Sequence, residues 1–156
     1  MAREDSAMVD ALGDAVAGAV MLVMGGAHTG SFGFFKQRIT TAIGLTVDRG
    51  PAKPLINEVT WQFRTLSSPG AKKIGIIDRS WEEQKLTDAG NRLLSATLSK
   101  LASLPPDQQA QVNEWLVSVA QLVAEAPYGQ GETDKVTAGE RAAVQRLREL
   151  LSHNAN

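Results

Sequence analysis

Cysteine is absent from the 156 residues, histidine occurs only twice, and aromatic residues make up 5% of the chain. Without cysteine there is no disulfide framework, no thiolate zinc site, no iron–sulfur cluster and no cysteine nucleophile. Net charge is nearly missing as well, since 16 Lys and Arg stand against 17 Asp and Glu, a formal −1. That balance argues against a chain that grips nucleic acid by bulk electrostatics. What is present is a composition 43% hydrophobic and 21% charged, which argues against disorder. A single domain of this length hides roughly 68–70% of its unfolded surface, so neither metal nor disulfide is needed to hold it together.

Strand-like alternation is also scarce, whereas helical spacing recurs along most of the chain. Met8, Leu12, Ala15, Val16, Ala19, Val20 and Val23 follow the i, i+3, i+4, i+7 rule, which predicts a helix from about Ser6 to Met24 whose later turns are buried all round. Gly25-Gly26 ends it. A second helix is expected over 34–47, closed by Asp48-Arg49-Gly50-Pro51. A third opens near Pro54 and carries Leu55, Val59, Phe63 and Leu66 on one stripe, with Trp61 off it. The segment 72–78, Lys72-Lys73-Ile74-Gly75-Ile76-Ile77-Asp78, is the one candidate strand, because β-branched residues favour a pleated surface.

Beyond Trp81, leucines and alanines predict a long helix ending near Ser103, with Gly90 weakening its middle. Leu104-Pro105-Pro106-Asp107 separates a final pair spanning 106–152, in which Val112, Trp115, Leu116, Val119 and Val123 supply a wide buried face. Thr137-Ala138-Gly139-Glu140 forms a capping box at the start of the last helix. The expected architecture is one all-α domain over 1–156, a bundle of about five or six helices grouped as 6–47, 54–103 and 106–152. Trp61, Trp81 and Trp115, with Phe34, Phe35 and Phe63, are expected as core anchors.

Acids at 4, 5, 10 and 14 are the wrong flank for a secretory signal, so a cytoplasmic protein is expected. Residues 15–35 contain no Lys, Arg, Asp or Glu and reach the length of a membrane span. Five glycines and the polar trio His28, Thr29 and Ser31 interrupt the run, which reads better as a buried helix followed by a glycine-rich loop. Charge is uneven along the chain: residues 1–35 carry one base and four acids, 36–79 eight bases and three acids, and 80–156 seven bases and ten acids. The basic middle reads chiefly as a solvated surface paired to the acidic ends. Its alternative is a phosphate or nucleic-acid contact through Arg38, Arg64, Lys72 and Lys73.

Chemistry-bearing motifs are few. The glycine-rich stretch 25–33 lacks the Gly-Lys-Ser/Thr ending of a phosphate loop and the glycine spacing of a dinucleotide fingerprint. His28 and His153 show no ligand spacing, and no nucleophile elbow is present, so no enzymatic activity is expected. Glu132, Asp134 and Glu140 lie where a loop runs into a helix N-terminus and could converge on a divalent cation, although Glu140 already has a role in the capping box. The EF-hand pattern is absent.

The stretch from Trp115 to Ala126, the acidic glycine-containing loop after it, and Val136 to Leu151 resemble the second half of tellurite-resistance TerB-like domains. The likeness covers about 40 residues of the 156. It implies an all-helical bundle linked to stress or metal-oxyanion resistance, with metal held by acidic turns. An acid-free first turn, Gly-Ala-His28-Thr-Gly, restricts that implication to Glu132, Asp134 and Glu140. The expected function is a non-enzymatic helical module that binds another protein, with a weak cation site in the 127–140 turn. The alternatives are an accessory protein that contacts phosphate or nucleic acid through 36–79, and a peripheral membrane protein that attaches through 15–35.

Overall fold

The computed structural model describes residues 3–26, 46–65, 67, 69–75, 77, 82–125 and 138–154. Among them are six helices and no strand: α1 (Arg3–Gly26), α2 (Lys53–Arg64), α3 (Pro69–Gly75), α4 (Glu83–Leu101), α5 (Pro106–Glu125) and α6 (Ala138–Asn154). The all-α expectation holds. α1 is the spine, packed against each of the other five helices and most extensively against α4. Lesser contacts join α5 to α6, α2 to α3 and α4 to α6.

The sequence of α1 explains its position. Its apolar residues from Ala15 to Met24 are all 5% exposed or less, so a helix with no polar face in its later turns has neighbours on every side. Ser6–Gly25 is long and apolar enough to cross a bilayer by length and composition, yet 78% of it is buried inside the bundle. A helix meets this demand at low cost because its backbone hydrogen bonds are internal.

Close approach to α1 is achieved with glycine. A Cβ added at Gly90 would lie 2.7 Å from the Gly18 carbonyl oxygen and 2.9 Å from the Leu22 amide nitrogen. In the other direction, a Cβ at Gly18 would lie 3.0 Å from the Gly90 carbonyl oxygen. The two backbones therefore touch where α1 and α4 cross. Gly90, expected only to weaken α4, is a packing position. Gly70 likewise sets the start of α3 against the Gly13 carbonyl of α1.

Three sequence expectations are corrected. The described part of the segment 72–78, residues 72–75 and 77, is not a strand: Pro69 opens α3, which runs to Gly75, and the Ile77 amide then donates to the Ile74 carbonyl at 3.2 Å. No other strand among the described residues could pair with it, and β-branched propensity without a ladder partner does not hold a strand. The expected 34–47 helix does not include Thr46 and Val47, because the Asn57 side-chain amide accepts from the Val47 N–H and donates to the Val47 carbonyl, both at 3.1 Å. Residues 34–45 lie outside the described residues, as do Phe34, Phe35 and Trp81. Trp115 and Phe63 are buried as expected, at 3% and 8% exposure, but Trp61 is 58% exposed.

Replacing a mid-helix glycine by alanine adds about 1 kcal/mol of intrinsic helix stability. Gly90→Ala is nevertheless expected to lower stability by about 1–3 kcal/mol, since the new methyl overpacks a backbone-to-backbone contact. Urea unfolding followed by circular dichroism measures it, with exposed Ser95→Ala as the control in the same helix. A midpoint raised by Gly90→Ala would refute the crossing.

Candidate functional site

α2 is the helix whose outer face departs most from a solvated polar surface. Pro54 lies in its first turn, where its missing N–H leaves no helical bond unmade. Ile56, Val59, Thr60 and Phe63 are buried, and the Thr60 hydroxyl donates to the Asn57 carbonyl at 2.9 Å. Trp61 follows two residues after Val59, about 200° round the helix, and so points away from the core. Trp61 and Leu122 are the exposed large hydrophobic residues among those described, and Leu122 is the less exposed, at 40%.

α2 is clasped to α5 at its start and capped at its end. At the start, the Gln111 carboxamide on α5 accepts from the Ala52 N–H at 2.7 Å and donates to the Arg49 carbonyl at 2.8 Å. This clasp lies against Gly50, whose φ of 111° favours glycine and whose missing side chain leaves room for the carboxamide. At the end, the Thr65 N–H donates to the Trp61 carbonyl at 3.1 Å and the Ser67 N–H to the Gln62 carbonyl at 2.9 Å. The Thr65 hydroxyl adds a 3.2 Å bond to the Trp61 carbonyl. Trp61 therefore projects from a helix clasped to α5 at its start and capped within its own last turn at its end, which limits the ordering cost of any contact it makes.

Cations cluster on the same side of the sequence. Arg64 is exposed one turn beyond Trp61, in the last turn of α2, where its charge suits the helix dipole. Lys53 is exposed at the start of α2 and Lys72 on α3, the short helix packed against α2. Lys73 differs, with its ammonium 2.9 Å from the Asp14 carboxylate of α1. This base of the middle segment is thus paired to an acid of the N-terminal segment. At 39% and 22% side-chain exposure the pair contributes about 0.2–1 kcal/mol.

The remaining candidates separate as follows. Arg38, Glu132 and Asp134 lie outside the described residues, and Glu140 falls in the first turn of α6 with its side chain also outside them. No group of three or more His, Asp or Glu able to hold a metal ion occurs among the described residues. The sequence reading missed Trp61 as a surface residue and Gln111 as a clasp. Trp61 lay off the apolar stripe of its helix, which was the available signal. Nothing local marks Gln111, because its partners are 59 and 62 residues away.

Gln111→Ala removes both clasp bonds and is expected to cost about 1–2 kcal/mol. Gln111→Glu should cost a similar amount, since a carboxylate accepts from Ala52 but cannot donate to the Arg49 carbonyl. Thermal unfolding of the two variants checks this, and a Gln111→Glu protein as stable as the parent would contradict it. No protein-family profile, no curated protein and no solved structure matches this chain.

Proposed function

We propose that this chain is a non-enzymatic helical interaction module, a bundle built round α1 that docks another protein on the outer face of α2. The observation that carries the reading is the 58% exposure of Trp61 on a helix clasped to α5 at its start and capped at its end. A tryptophan buries about 150–250 Å² in a contact. Covering its exposed part is worth on the order of 2–4 kcal/mol at about 25 cal/mol per Å². That is the scale of a single interface hot spot.

The finer part of the proposal follows the TerB-like resemblance: an association with stress or metal resistance, and a weak divalent-cation site in the 127–140 turn using Glu132 and Asp134. Glu140, in the first turn of α6, is the third candidate ligand of that site beside its capping-box role. The phosphate-contact alternative retains exposed Arg64 and Lys72, but Lys73 is engaged by Asp14. The membrane alternative would require residues of α1 that sit inside the bundle to leave it.

A photoreactive phenylalanine analogue at position 61 tests the docking reading. In the producing cell it should give discrete cross-linked adducts, while the same residue at exposed position 146 on α6 should give none. Absence of adducts from position 61 would remove the reading. For the cation, calorimetry with Ca²⁺, Mg²⁺ and Zn²⁺ should show heat for the wild type that disappears in the Glu132→Ala/Asp134→Ala double variant. No heat, or equal heat in both, eliminates that site.

A further inference from the structure

We draw no further inference here: the strongest candidate, the outer face of α2 centred on the exposed Trp61, belongs to the site already described, and nothing in the structure shows what covers it.

Discussion

A helix surrounded by five others must be narrow where it is crossed, and the contact of Gly18 with Gly90 is where that requirement is sharpest in this bundle. Each glycine leaves space that the other's backbone occupies, so α1 and α4 approach to backbone contact. Ala15, Ala17 and Ala19 next to Gly18 keep the central turns of α1 slender, while Val16, Val20, Leu22 and Val23 fill the gaps between neighbours. Gly13 with Gly70 repeats the device for α3. Packing at this density leaves little room for volume change, so the usual rule that alanine stabilises a helix relative to glycine is expected to reverse at Gly90.

The all-round apolarity of residues 15–24 identified a buried helix in advance, because no amphipathic alternative exists for such a run. The ends of α4 and α5 were also legible, the latter through Pro106 and the wide apolar face around Trp115. Legibility failed where the deciding partner is distant. Gly90 reads as a local weakness until Gly18 is placed against it, 72 positions away. The 72–78 segment has strand-like composition, but the groups that decide its fate are Pro69 at the start of α3 and the Gly13 and Asp14 positions on α1. Val47 looked like the end of a helix because its periodicity fits, while Asn57 had already taken its N–H and its carbonyl.

The candidate site was legible in a different way. The stripe rule that assigned Leu55, Val59 and Phe63 to the inside of α2 also left Trp61 outside it. General preference for buried tryptophan pointed the other way, and helical geometry prevailed, since 200° separates Trp61 from Val59 and no rotamer returns a side chain through its own helix. The basic character of the middle segment was visible as a count, but a count does not say which cations are committed. Asp14 on the spine claims Lys73 and leaves Arg64 and Lys72 exposed.

That division follows from the topology. Because α1 holds N-terminal acids and α3 packs directly on it, Lys73 meets the Asp14 carboxylate, while Arg49, Lys53, Arg64 and Lys72 among the described residues face solvent. Trp61, the most exposed tryptophan among the described residues, stands on a helix clasped by Gln111 at its start and capped through Thr65 and Ser67 at its end. A spine that consumes the apolar surface of five helices makes an apolar residue left outside conspicuous. Under the proposed docking role, contact on an outer helix face would require neither opening the core nor ordering a loop.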